Sequence, residues 1–281
     1  MIDFFHALMD PDHAFLRLAV YVGTLASISF GIIGTYVTTR RISYLAGAIA
    51  HCVFGGIGAA LYMKHRLGFA WMDPMVGAVA AAILAAVVMG LVSLYAKERE
   101  DTVIGALWAV GMAAGLLFID MTPGYFDMMS YLFGDILLIS HQDLWLVIAL
   151  DVIVVSITLY YYNTILAVSF DNEFARLRGI HVEAFYILLL CLTAMTVVLL
   201  VRIVGIVMVI ALLTLPAAIA GQFTRRLWQM MILSTLFCIG FMWSGLSVSF
   251  VLELSSGPTI ILVAGLTYLL VMGARWLSGK R

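Results

Sequence analysis

One histidine inside a membrane-length apolar run is the most chemically pointed feature of this sequence. Residues 40–62, RRISYLAGAIAHCVFGGIGAALY, place Gly47, His51 and Gly55 at i, i+4 and i+8, with Gly58 about one turn further. One helix face is then nearly bare backbone interrupted by a single imidazole. Small residues at this spacing let helix backbones approach in a bilayer, whereas an imidazole in hydrocarbon needs a partner or a wet cavity. The residues leave two readings open: a packing face whose histidine is hydrogen-bonded across helices, or the wall of a narrow path. Asp151 is the second candidate, about two turns inside another apolar run, where an unpaired acid at a helix centre costs ~2.5–3.5 kcal/mol. It must be paired, protonated or wet, either as a pathway group or as the partner of a hydroxyl or amide on a neighbouring helix.

The chain that positions these residues has 281 residues, 64% of them hydrophobic and 11% charged, with a mean hydropathy of +1.11. Such values exclude an ordinary soluble domain and point to an all-α polytopic membrane protein, read here as one transmembrane domain over residues 1–281. A hydrocarbon core of ~30 Å needs about 20 apolar residues per helix. Runs of that kind fall near residues 14–37, 43–63, 74–95, 102–119, 144–162, 184–201, 203–221, 230–252 and 259–277. That makes about nine spans, or eight if 184–221, interrupted only by Arg202 and Gly205, is one helix. The start, MIDFFHALMDPDH, lacks a basic region and a small-residue cleavage pattern, so it reads as a short interfacial helix ending near Pro11 and not as a secretory signal. Cys52, Cys191 and Cys238 all lie in apolar runs, where thiols behave as small hydrophobes and no structural disulfide is expected.

An odd number of spans puts the termini on opposite sides. Arg40, Arg41, Lys97, Arg99, Arg176, Arg178, Arg225, Arg226, Arg275, Lys280 and Arg281 fall on one side, and only Arg17, Lys64, Arg66 and Arg202 on the other. By the positive-inside rule the first set is cytoplasmic, with the N-terminus outside and the C-terminus inside. The outer side then carries Asp3, Asp10, Asp12, Asp73, Asp120, Asp127, Asp135, Asp143 and Glu253 with His6, His13, His65 and His141. Carboxylate and imidazole are ligands for divalent metals, although depleting cations from outer loops leaves acids by default. Residues 120–143 are too broken for a span, and 128–139 within them reads as a short helix at the outer interface.

The inner loop FDNEFARLRGIHVE carries helix signals: Asp171 as N-cap, Glu173 in the first turn, Arg176 and Arg178 late, and Gly179 at C′. Phe174, Leu177 and Ile180 form its apolar side. So short a helix is marginal alone and needs a partner or the span ends to pack on. Pro216, inside ALLTLPAAIAG, removes a backbone hydrogen bond and kinks its helix unless neighbours compensate. The sequence has no P-loop, since its Gly-Lys pair, Gly279-Lys280, lacks the upstream glycine and the following Ser or Thr. HExxH and nucleophile-elbow patterns are also missing, so the chain cannot energise itself with ATP and is not expected to be an enzyme.

Several stretches together resemble the membrane permease family of bacterial ABC importers for zinc, manganese and related divalent metals, of the type II importer kind. These are RRISYLAGAIAHCVFGGIG, YLFGDIL, FDNEFARLRGI, VGIVMVIALLTLPAAIA and SGPTIILV, in that order, over residues 40–270. The resemblance implies a permease homodimer in the cytoplasmic (inner) membrane, two cytoplasmic ATPase subunits, and an extracytoplasmic metal-binding protein that delivers the ion. The metal is then a transported substrate, with no permanently bound cofactor. It also implies that the segment near 171–181, comprising Asp171, Glu173, Phe174, Ala175, Arg176, Leu177, Arg178 and Gly179, is the coupling helix that docks into the ATPase. The chain departs from the family at one point: where an aspartate usually stands four residues before the histidine, it has Gly47. His51 matches as a transient pathway ligand; either the ion is held differently, with Asp151 or another acid substituting for the carboxylate, or the substrate differs from the usual zinc or manganese. The competing readings are a permease for a metal chelate of siderophore or cobalamin type, and a proton-coupled secondary transporter relaying through Asp151.

Overall fold

A computed structural model describes residues 2–10, 14–95, 100–124, 132–134 and 139–277. Among these residues nine helices are long and apolar enough to cross a membrane, so the chain is an all-α polytopic membrane protein. A short helix α1 (Ile2–Met9) precedes α2 (Ala14–Thr39), α3 (Ser43–Arg66), α4 (Pro74–Tyr95) and α5 (Glu100–Asp120). Next come α6 (His141–Tyr160), α7 (Tyr162–Phe170), α8 (Asn172–Leu177) and α9 (Val182–Val204), followed by α10 (Ile206–Phe223), α11 (Leu227–Leu252) and α12 (Ser256–Leu277). Most of the expected interface helix at 128–139 lies outside the described residues, as does Pro11.

Helix α3 is the most enclosed span, with 78% of its apolar window buried, against 11% for α5 and for α12. It is held between α4 and α5, while α2 packs on α6, α10 and α11. Small residues make the α3 contacts possible. The Gly56 backbone abuts the Gly77 carbonyl of α4, and a Cβ on Gly55 or Gly58 would lie 2.8 or 2.6 Å from the carbonyl oxygens of Gly111 and Gly115 on α5. In lipid, such approaches supply the dispersion and polar contacts that drive helix association. The large apolar side chains left exposed, such as Val110 and Leu117 on α5 and Leu262, Leu266 and Leu270 on α12, suit lipid or a second protein.

The long apolar run 184–221 is two helices. Gly205 separates α9 from α10 with φ 78° and ψ 164°, a region essentially restricted to glycine, and Arg202 lies within the last turn of α9. The break sits at a crossing. The Gly205 backbone touches that of Phe133 and Gly134, itself at φ 69°, and Gly257 at the start of α12 abuts the Phe133 carbonyl. Three of the sequence stretches quoted above, YLFGDIL, VGIVMVIALLTLPAAIA and SGPTIILV, thus meet through their glycines.

Pro216 lies inside an uninterrupted α10. Having no N–H, it cannot donate to the Leu212 carbonyl one turn back, and the Cys238 thiol of α11 donates to that oxygen instead, at 3.5 Å. The expectation of a purely hydrophobic thiol is corrected here: Cys238 supplies the compensation that Pro216 requires.

Candidate functional site

His51 projects from α3 toward α5. Its ring stacks on the indole of Trp108, with centroids 4.6 Å apart and planes 25° from parallel, and its Nδ1 lies 3.1 Å from the Sδ of Met112. Trp108 and Met112 are one turn apart on α5, so they flank the imidazole from the same helix face. The ring is only half-buried, and among the described residues it has no second hydrogen-bond partner. The adjacent Cys52 thiol donates to the Leu107 carbonyl at 3.5 Å.

Gly47 is explained by the same indole. A Cβ on Gly47 would sit 2.7 Å from Cζ3 and 3.1 Å from Cη2 of Trp108, so the space that a side chain at 47 would need is filled from α5. The stripe is therefore divided in function: Gly47 receives Trp108, while Gly55 and Gly58 receive the α5 backbone. Sequence reasoning found His51 and missed Trp108 and Met112. Their i, i+4 spacing in WAVGM was the available signal, but it does not say which helix they face.

Asp151 belongs to a different joint. It is buried on α6 and accepts a 2.5 Å hydrogen bond at Oδ1 from the Ser29 hydroxyl of α2, while Oδ2 has no hydrogen-bond partner among the described residues. The hydroxyl partner considered from sequence is present, and it ties α6 to α2, not to the His51 wall between α3 and α5. Two of the acids expected on the outer side are helix caps. Asp73 accepts from the Met75 N–H at 2.9 Å, and Asp143 completes a capping box with Ser140 at the start of α6. Among the described residues no group of three or more His, Cys, Asp or Glu is placed to hold a metal ion.

The 171–181 segment folds as its signals require. The Asp171 carboxylate accepts from the Phe174 N–H at 2.9 Å, capping α8. At the other end the Gly179 N–H donates to the Arg176 carbonyl at 2.9 Å and the Ile180 N–H to that of Ala175 at 3.1 Å. These two bonds form a Schellman stop with Gly179 at φ 77°. Glu173 lies in the first turn, and Arg176 pairs with Glu183 on the surface. The expected apolar side is divided, with Ile180 packed inward and Phe174 and Leu177 left for a partner. Ala175 also faces inward, packed with Val168 and Val182, whereas Leu177 is 88% exposed and Phe174 45% exposed, the latter lying under the Arg178 guanidinium. Arg40 braces this end of the bundle by donating to the Val168 carbonyl and lying over the Tyr186 ring.

The sequence profile described as the ABC 3 transport family matches residues 12–275. The chain belongs to the ABC 3 transport family. An uncharacterized membrane protein of Synechocystis is 40% identical over 94% of this chain and 92% of its own length. The manganese transport system membrane protein MntC of Listeria monocytogenes is 30% identical over 94% of this chain and 91% of its own. Among solved structures, PsaBC of Streptococcus pneumoniae in complex with Fab matches at a TM-score of 0.85 and 26% identity, covering both chains completely. As an ABC 3 family member this chain is a transporter permease, and its overall fold is similar to that of PsaBC.

Proposed function

We propose that this chain is the permease of an ATP-driven importer that carries a divalent transition metal ion, with the ion as substrate and no resident cofactor. The observation that carries the reading is His51, half-buried on the most enclosed helix, against a helix that is otherwise uncovered. A ligand on such a wall can meet an ion transiently and release it, as import requires, whereas a closed tetrahedral site would retain it. The manganese transport assignment of the Listeria relative supports a metal cargo.

The partners follow from the uncovered surfaces. α5 and α12 bury the least of themselves within one chain, which suits a twofold dimer in which His51 faces a central path. Phe174 and Leu177 on a well-capped α8 offer an apolar contact for a cytoplasmic ATPase, which agrees with the charge-based orientation that has the C-terminus inside and the N-terminus outside the inner membrane. An extracytoplasmic metal-binding protein would deliver the ion. Asp151 is assigned to the α2–α6 joint.

The test is uptake of zinc, manganese and iron by proteoliposomes holding the permease, its ATPase and its binding protein, for wild type and His51→Ala. ATP-dependent uptake that His51→Ala abolishes in an assembled complex is expected. Undiminished uptake by His51→Ala would make the histidine a packing residue, and uptake driven by a proton gradient without nucleotide would replace the reading with a secondary transporter.

A further inference from the structure

The loss of the carboxylate at position 47 changes the donor set beside His51, and the structure contains a replacement of different chemistry. Position 47 is closed by Trp108; the acids of α5, Glu100, Asp101 and Asp120, stand at its two ends, about two turns from Trp108 and Met112, and Asp151 is bonded to Ser29 elsewhere. The polar atom nearest the imidazole is the thioether of Met112, 3.1 Å from Nδ1. Both side chains are only partly buried, so the pair lies at the edge of the joint and is reachable from the open side of α5.

The spacing suits two donors to one ion. With a metal–nitrogen bond of ~2.1 Å and a metal–thioether bond somewhat longer than the ~2.3 Å of a thiolate, donors 3.1 Å apart subtend an angle of about 90° or slightly less at the metal. Opening that angle to the tetrahedral value separates the donors by only about 0.5 Å more, well within the reach of methionine, whose three rotatable bonds make it adaptable. Imidazole with thioether is a borderline-to-soft set that favours zinc or copper, whereas carboxylate and water favour manganese. The stacked indole adds an apolar wall on the side where the family has a charge.

We propose that Met112 is the second pathway donor beside His51, and that this imidazole–thioether pair selects a borderline-to-soft cation, zinc ahead of manganese. The proposal rests on the reading of His51 as a pathway residue. Met112 is then a specificity residue on α5, and Trp108 is the positioning residue that both excludes a carboxylate at 47 and holds the imidazole ring flat.

The experiment compares initial zinc and manganese uptake by the reconstituted complex for wild type, Met112→Leu, Met112→Cys and His51→Ala. Leucine conserves volume at this site and so keeps the helix packing; cysteine restores sulfur. Wild type should prefer zinc, Met112→Leu should lower the zinc-to-manganese ratio at least tenfold, and Met112→Cys should recover it. A ratio within twofold of wild type in Met112→Leu, while His51→Ala abolishes uptake, would overturn the proposal and leave the pathway reading standing. Unchanged uptake in both variants would remove both. A second measurement is independent of any variant's folding: zinc-edge X-ray absorption of the wild-type complex arrested with zinc. A sulfur shell somewhat beyond the ~2.3 Å of a zinc–thiolate bond is expected, and a shell of nitrogen and oxygen alone would refute the assignment.

Discussion

Replacing Gly47 with alanine tests the packing of α3 on α5 beside His51. The added Cβ would lie 2.7 and 3.1 Å from two atoms of the Trp108 ring, whereas carbon atoms rest at about 3.5–4.0 Å. The indole must therefore move by roughly 1 Å, and its stack on His51 moves with it. Overfilling of this kind costs about 1–3 kcal/mol, while alanine for glycine in a helix interior otherwise gains about 0.5–1 kcal/mol. Gly47→Ala should thus be net destabilising by up to about 2.5 kcal/mol with Trp108 present, and stabilising by about 0.5–1 kcal/mol once Trp108→Ala has removed the obstacle. The resulting coupling of about 1–3 kcal/mol is of the size found for side chains in contact. It corresponds to several degrees in melting temperature for a chain of this size, at roughly 2–4 °C per kcal/mol. Heating the detergent-solubilised complex and following the surviving assembled fraction by size exclusion gives the four melting temperatures. An alanine at 47 that shifts the melting temperature equally in both backgrounds would refute the claim that Trp108 occupies this space. Gly47→Asp should follow the same pattern more strongly and should regain full stability only together with a smaller residue at 108.

Four further outcomes follow from the geometry. Ser29→Ala leaves both Asp151 oxygens without a partner and should cost about 1–3 kcal/mol, while Asp151→Asn with Ser29 intact should retain metal uptake; an assembled Asp151→Asn complex that cannot transport would return this acid to the pathway. Leu177→Asp, at an 88% exposed position, should leave the permease melting temperature unchanged yet abolish co-purification of the ATPase, and continued co-purification would exclude α8 as the docking element. Cys238→Ala leaves the Leu212 carbonyl without its donor and should cost about 1 kcal/mol, with Cys238→Ser closer to wild type; equal melting temperatures would deny the thiol this role. Gly205→Ala imposes a side chain on a glycine-only conformation and on the Gly134 backbone, so little folded protein should be recovered, and normal expression would show that the crossing tolerates displacement.

The spans were legible because a bilayer makes the rule simple: an apolar run of sufficient length must be a helix with its backbone bonds internal. The positions of α2 to α6 and of α9 to α12 follow from that rule, and the break at Gly205 was marked by its glycine. The capping of α8 was legible because Asp171, Glu173 and Gly179 act on their own backbone, within a few residues. What the sequence could not convey is pairing between helices distant in the chain. Trp108 fills the space of Gly47 across 61 positions, the same separation as that between His51 and Met112, and Ser29 reaches Asp151 across 122. The exposure of Leu177 was hidden for a related reason: a short helix with an alanine between two larger apolar residues does not say which will turn inward. Asp73 and Asp143 looked like free outer ligands because cap bonds depend on where a helix begins, and apolar periodicity locates such ends only within a few residues.

The glycine crossing has a mechanical consequence. Where Gly134, Gly205 and Gly257 meet, three stretches of main chain touch with no side chains between them. Such a junction has no rotamers to change and no soft atoms to compress. α9, α10 and α12 are therefore held in register here by backbone packing that an added side chain would disrupt. Joints built of side chains, such as the Trp108–His51–Met112 contact between α3 and α5, keep rotamers that can change.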